Sequence, residues 1–174
     1  MLVLARAIAE ASRDGNPANE VTTAGNTISQ LGKSDVQSLI QFGDETISIN
    51  GSNSFAGTWY GAANEIAQGV SDPNITTFVS RTGDRIVGAM QVFNGNNALH
   101  VSVMESIESG TGTRLMQTAA QESIKRGFGG QLTFNAVTKD GIRLAEKIGA
   151  TLIHAGSHSY RLTEEAAKAL LNQP

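Results

Sequence analysis

Ser109, Gly110, Thr111, Gly112 and Thr113 crowd one short stretch of the chain, and Leu115, Met116, Ala119, Ala120 and Ile124 follow it at helical spacing. That spacing predicts an amphipathic helix with glycines in its first turn. Gly127, just after Lys125 and Arg126, predicts its end, with cations at the negative end of the helix dipole. Glycines at a helix start leave the unsatisfied N–H groups uncovered, and nearby hydroxyls add hydrogen bonds. Such a nest suits a phosphate or pyrophosphate. An ordinary glycine-containing strand-to-helix turn uses the same residues, because short Gly-x-Gly patterns are common.

Other chemistry is sparse. His100, His154 and His158 are scattered, with no carboxylate at ligand spacing, so no metal site is expected. His100 titrates near neutrality without help, yet it equally suits a packed or surface strand position. The chain has no cysteine, which excludes disulfides, thiolate metal sites and a cysteine nucleophile. That absence agrees with a reducing, cytoplasmic setting.

The 174 residues suggest one domain with a proper core. Thirteen basic and 16 acidic residues give a net charge of −3, which disfavours a nucleic-acid partner. No apolar run is long enough to cross a bilayer, so no membrane partner is expected. Residues 2–12 predict an amphipathic helix rather than a signal peptide. With a lightly charged surface, that helix favours a homodimer.

The elements that must position the glycine turn are predicted in order. Residues 19–32 are expected to be a loop, 35–42 a helix capped by Ser34, 46–49 a strand and 61–70 a helix preceded by Phe55, Trp59 and Tyr60. Strands follow over 75–81, 85–93 and 98–104, joined by Thr82-Gly83-Asp84 and Asn94-Gly95-Asn96-Asn97. Ile86, Gly88, Met90 and Val92 are expected on one face. After the glycine-led helix come a strand over 131–137, a helix over 139–148 capped by Thr138, a hairpin over 151–162 and a last helix capped by Thr163. A helical crossover after Met104 makes the next strand parallel to its predecessor, giving a mixed sheet in an α/β domain. The glycine turn then sits at a strand's C-terminal end, where a ligand crevice forms.

This order resembles the GNAT superfamily of acyl-CoA-dependent N-acyltransferases. Three pieces carry the resemblance: Phe78 to Gly88, similar to the family's central hairpin; Gly110 to Met116 with Gly127-Phe128, similar to its coenzyme signature; and Thr138 to Ala150, similar to its Asn-x-x-Ala-x-x-Leu-Tyr-Glu-Lys-Leu-Gly-Phe helix. The chain departs from the pattern at Ile107, Thr138, Ala145 and Ala150, which stand where the family has Gln or Arg, Asn, Tyr and Phe. The implied fold is a single-domain, mixed, mostly antiparallel sheet flanked by helices. Residues 75–162 would be the acyl-CoA-binding core, and residues 1–70 the variable, acceptor-facing part.

The resemblance implies an acetyl-CoA co-substrate and an amine acceptor, either a small molecule or a protein lysine. It places the coenzyme pyrophosphate on Ser109, Gly110, Thr111, Gly112 and Thr113, with Thr138 also at the coenzyme site and Arg114, Lys139 or Arg143 toward its outer phosphate. The pantetheine arm would run along residues 101–104, and the Val103 N–H would meet the acyl carbonyl. Glu105 and His100 are the expected bases, and Tyr160 replaces Ala145 as the expected acid. Trp59 and Tyr60 would line an acceptor pocket or pack in the core. A degenerate domain that binds CoA or a protein partner without catalysis is the alternative. A nucleotide-binding α/β domain is weakened because the chain has no Gly-Lys-Ser/Thr and no strand followed by Gly-x-Gly-x-x-Gly.

Overall fold

The computed structural model describes residues 21–23 and 25–174. The helix expected over residues 2–12 lies outside the described residues. Eight strands form one sheet: β1 (Val21–Thr23), β2 (Asn26–Gln30), β3 (Ile75–Thr82), β4 (Arg85–Asn94), β5 (Leu99–Ser106), β6 (Leu132–Asn135), β7 (Thr151–Leu152) and β8 (Ser159–Leu162). Their spatial order is β1-β2-β3-β4-β5-β6-β8-β7. The helices are α1 (Val36–Asn50), α2 (Ala56–Gln68), α3 (Thr111–Lys125), α4 (Lys139–Lys147) and α5 (Glu164–Leu171). Neighbouring strands are antiparallel except β5 and β6, which the α3 crossover makes parallel. This is the expected mixed, mostly antiparallel sheet flanked by helices.

The sheet buries both faces. On one, Met90, Val92, Leu99, Val101, Leu132, Phe134, Tyr160 and Leu162 pack against α3, α4 and α5. On the other, Val79, Ile86 and Ala89 meet Leu39 and Phe42 of α1 and Trp59 of α2. Two register shifts decide which residue faces which core. Arg81 pairs with Ile86 while Ser80 pairs with Gly88, so Val87 is an extra residue in β4. Ile86 therefore lies on the α1–α2 face, opposite Met90 and Val92, and not with them as simple alternation predicts. Gln91 pairs with Val103 and Val92 with Val101, so Ser102 is the extra residue in β5. Its hydroxyl donates to the Gln91 carbonyl at 3.2 Å.

Three expected elements differ. Residues 19–32 contain the β1–β2 hairpin, turned at Gly25 with φ +93°. It lies at the sheet edge, and in β2 Asn26 and Ile28 are buried. The strand expected over 46–49 is the last part of α1. Gly43 does not break that helix. A Cβ there would lie 2.6 Å from Tyr60 Cε1, so the glycine lets α2 approach α1. The α2 helix starts at Ala56, ahead of the expected 61, and carries Trp59 and Tyr60.

The α3 helix buries Leu115, Met116, Ala119 and Ala120 as its spacing predicts. Ile124 is 48% exposed, and Ser123 is buried instead, its hydroxyl donating to the Gln131 carbonyl at 2.7 Å. The helix ends as predicted, with Gly127 at φ +87° and Phe128 N–H donating to Ser123 O at 2.8 Å. Thr138 and Thr163 cap α4 and α5, accepting from Gly141 and Ala166 N–H.

Gly88 lies directly under α3, where an added Cβ would meet Thr111 Cγ2 at 2.5 Å and Leu115 Cδ1 at 3.1 Å. Gly88→Val should therefore lower unfolding free energy by about 1–3 kcal/mol. Urea denaturation measures this, and an unchanged midpoint would mean that α3 shifts to accommodate the side chain.

Candidate functional site

The β5 and β6 strands pair only at Leu99–Leu132, His100–Thr133 and Val101–Phe134. Beyond Val101, β5 continues beside β4 to Ser106, whereas β6 ends at Asn135 and the chain turns into α4. The two strands part and leave a wedge. Its walls are residues 101–104 of β5, residues 134–138 after β6, Met116, Gly141, Leu144 and Phe55. Along it, the β5 edge has backbone N–H and C=O groups with no strand partner.

The first turn of α3 lies at one end of this wedge. Gly110 precedes the helix with φ +81°, a conformation that glycine adopts without strain. A Cβ on Gly112 would meet Leu144 Cδ2 at 3.3 Å, Ser106 Oγ at 3.6 Å and Met104 Cε at 3.9 Å. Met104 and Leu144 also line the wedge, so the two features are continuous. Thr111 is fully buried, and its hydroxyl accepts from Asn26 Nδ2 at 3.5 Å. The Thr113 hydroxyl instead meets Lys147 Nζ at 3.1 Å. Lys147 thus brings a cation to the nest from the end of α4. Sequence reading missed it because α3 and α4 meet only in the folded chain. Arg143 is exposed and paired with Asp140, and Thr138 uses its hydroxyl as the α4 cap.

Glu105 sits beyond the Ser102 bulge, facing α1 and α2. It is 7% exposed. One carboxylate oxygen accepts from Asn50 Nδ2 at 2.8 Å. The other accepts from Trp59 Nε1 at 2.8 Å and Phe55 N–H at 3.2 Å. Trp59 is therefore a fully buried core residue with a polar duty. Tyr60 is held outward by a 2.6 Å hydrogen bond to Asp44. Only Phe55 of the three early aromatics lines the wedge, and the residue is 40% exposed.

The other two expected proton carriers lie apart from Glu105. His100 is five positions earlier on β5, roughly 15 Å away along an extended strand. Its Nδ1 is 2.9 Å from Thr133 Oγ1, and its ring lies 4.8 Å from Phe93. Burial pushes the imidazole below its ordinary value of 6.5. Tyr160 is a buried β8 residue stacked on Phe134 at 5.8 Å, behind the wedge wall. Val103 lies in the wedge wall itself. No group of three or more potential metal ligands occurs among the described residues.

No family model and no curated protein matches this sequence. Solved structures do match its fold. A GNAT-family acetyltransferase from Staphylococcus aureus Mu50 aligns with a TM-score of 0.62 at 12% identity, over 80% of this chain and 99% of that one. An acetyltransferase from Thermus thermophilus aligns with a TM-score of 0.57 at 15% identity, over 82% and 99%. A PaiA N-acetyltransferase from Thermoplasma acidophilum, solved with coenzyme A, aligns with a TM-score of 0.52 at 12% identity, over 79% and 97%. The chain has the fold of the GNAT acetyltransferases, as the three sequence motifs anticipated.

Two stability measurements follow from this geometry. Trp59→Phe keeps a ring in the core but removes a donor from a buried carboxylate, so it should cost about 1.5–3 kcal/mol. A smaller loss in urea unfolding would show that water replaces the indole. For His100, the unfolded chain binds a proton near 6.5 that the folded chain resists. Stability should fall as pH drops through that value toward the lower folded pKa. His100→Asn should flatten this slope, and equal slopes in the two proteins would remove His100 as its source.

Proposed function

We propose that the protein transfers an acyl group, in the simplest case acetyl, from acetyl-CoA to an amine in a ternary complex. The observation that carries this reading is the wedge between β5 and β6 with the glycine-led turn of α3 at its end. An extended pantetheine amide chain matches the unpaired β5 edge. The pyrophosphate matches the α3 N–H groups, with Lys147 beside Thr113. The fold likeness, including one neighbour solved with coenzyme A, supports the same assignment.

In this reaction the amine nitrogen attacks the thioester carbonyl carbon, with the acyl oxygen held by the Val103 N–H. The C–S bond breaks, an amide forms and CoA leaves as its thiolate. The ammonium proton passes to Glu105 directly or through water, and the thiolate takes a proton from solvent. Tyr160 buttresses Phe134, and His100 holds β5 to Thr133; neither is assigned a proton. The acceptor is a small amine or a protein amine.

A second reading is supported by Ala145 and Glu105. Ala145 is fully buried where a family tyrosine would stand, and Glu105 already accepts three hydrogen bonds. Under that reading the domain binds CoA without turnover. Calorimetric titration with acetyl-CoA, with ATP and NAD as controls, tests the shared premise. Thiol release with an amine panel then separates the two readings.

Selective micromolar binding of acetyl-CoA is expected. Gly112→Asp should weaken it at least about ten-fold by placing a carboxylate on the nest. Glu105→Gln should keep that affinity and lower kcat about 100-fold. Unchanged binding in the first variant would remove the nest as the coenzyme site. Unchanged kcat in the second would remove Glu105 from proton transfer.

A further inference from the structure

Glu45, Arg85 and Glu108 form a charged chain beside the glycine turn of α3 and outside the wedge. Glu108 lies between the end of β5 and Gly110, and its own carbonyl accepts the Thr111 N–H at 3.3 Å. Its backbone is thus already at the start of α3. The next two N–H groups, of Gly112 and Thr113, have no acceptor among the described residues. Unpaired N–H groups at the positive end of a helix dipole attract any nearby anion. The Glu108 carboxylate is such an anion, and the pyrophosphate of an acyl-CoA is another.

The Glu108 side chain is drawn elsewhere. One carboxylate oxygen accepts from the Thr82 hydroxyl at 3.0 Å, and the other from Arg85 Nη1 at 3.5 Å. Thr82 and Arg85 face each other across the β3–β4 turn. That hairpin stands beside the α3 turn because the Ile107 N–H donates to the Val87 carbonyl at 2.9 Å. Arg85 is fixed from its other side by Glu45 of α1, to which Nε donates at 3.2 Å and with which Nη2 also pairs. One guanidinium therefore serves two carboxylates, one on α1 and one at the entry to α3.

We infer, resting on the acyltransferase reading above, that Arg85 is a positioning residue for coenzyme binding. With Thr82 it holds the Glu108 carboxylate toward the hairpin and leaves the Gly112 and Thr113 N–H groups to an incoming phosphate. Without Arg85, Glu108 turns toward α3 and competes as an internal anion. The charges involved are partly solvated, so the expected effect on affinity is about three-fold.

Calorimetric titration of the full chain with acetyl-CoA tests this. Arg85→Gln should weaken binding about three-fold. Adding Glu108→Gln to that variant should restore at least wild-type affinity, because no competing carboxylate remains. Thr82→Val removes the other donor and should also weaken binding, with the same rescue by Glu108→Gln. Urea midpoints close to that of the wild type would show that the variants fold. A purely structural role for Arg85 would leave the double variant as weak as Arg85→Gln. That result would overturn the inference. So would wild-type affinity in Arg85→Gln, or weaker binding in Glu108→Gln alone. If Arg85→Gln does not fold, Thr82→Val with and without Glu108→Gln decides by the same rescue. Failure of the wild type to bind acetyl-CoA would instead overturn the reading on which the inference rests.

Discussion

A carboxylate withdrawn from water must be met by donors or it destabilises the fold. Glu105 is met by three, from three separate segments: the last residue of α1, the loop after it and the first turns of α2. Apolar contacts between Trp59, Phe42 and the sheet bury area but are indifferent to direction. The hydrogen bonds to Glu105 supply the direction. They fix where the α1–α2 loop meets β5, and with it the position of Phe55. The loop is tied again from its other side. The Thr46 hydroxyl lies 2.6 Å from Ser54 Oγ, which also accepts from the Ala56 N–H that opens α2. The α1–α2 side of the wedge is therefore built on a polar clamp, and the opposite side on packed apolar layers.

The clamp could not form if β5 alternated regularly. Val101 belongs to the α3 core, so an unbroken two-residue period would turn Glu105 toward that core as well. The extra residue at Ser102 reverses the phase. The same bulge coincides with the point where β5 loses β6 as a neighbour. One irregular residue thus both aims the carboxylate and begins the wedge. Bulges at such places re-aim side chains and end pairing. The shift at Val87 does the matching job on β4, sending Ile86 to one core and leaving Gly88 as the gap beneath Thr111.

This division explains what could be read in the sequence. The meander from β3 to β5, the α3 crossover and the capped α4 and α5 announce themselves through local signals: alternation, glycine turns and threonine caps. The glycine-led turn was legible for the same reason. The first part of the chain was not. Gly43 reads as a helix stop, but its role is close packing against Tyr60. Thr46, Ile47, Ser48 and Ile49 alternate like a strand while lying on a helix. The β1–β2 hairpin depends on β3 for its register and has little apolar pattern of its own. In the site, Asn50, Trp59 and Lys147 acquire their roles only through contacts between distant segments. No spacing in the sequence marks them. His100 and Glu105 share a strand face, but strand length keeps them apart.

The close fit of α4 bears on the departure at Ala145. Small residues let this helix approach its neighbours: Ala145 is fully buried, and a Cβ on Gly141 would come within 3.1 Å of the Thr138 hydroxyl and 3.5 Å of Ala136. On the α3 side, Gly112 leaves just enough room for Leu144. A phenol at position 145 would have to displace this packing, so its absence follows from the position of α4 and is more than a lost functional group. In the proposed reaction, water at the wedge would be the proton source for a departing thiolate. The glycine turn of α3 has Lys147 beside it at one end, and a buried carboxylate stands on the other face beyond the bulge. The acyl transfer proposed above would rely in this frame on positioning and on that single carboxylate, with solvent completing the proton balance.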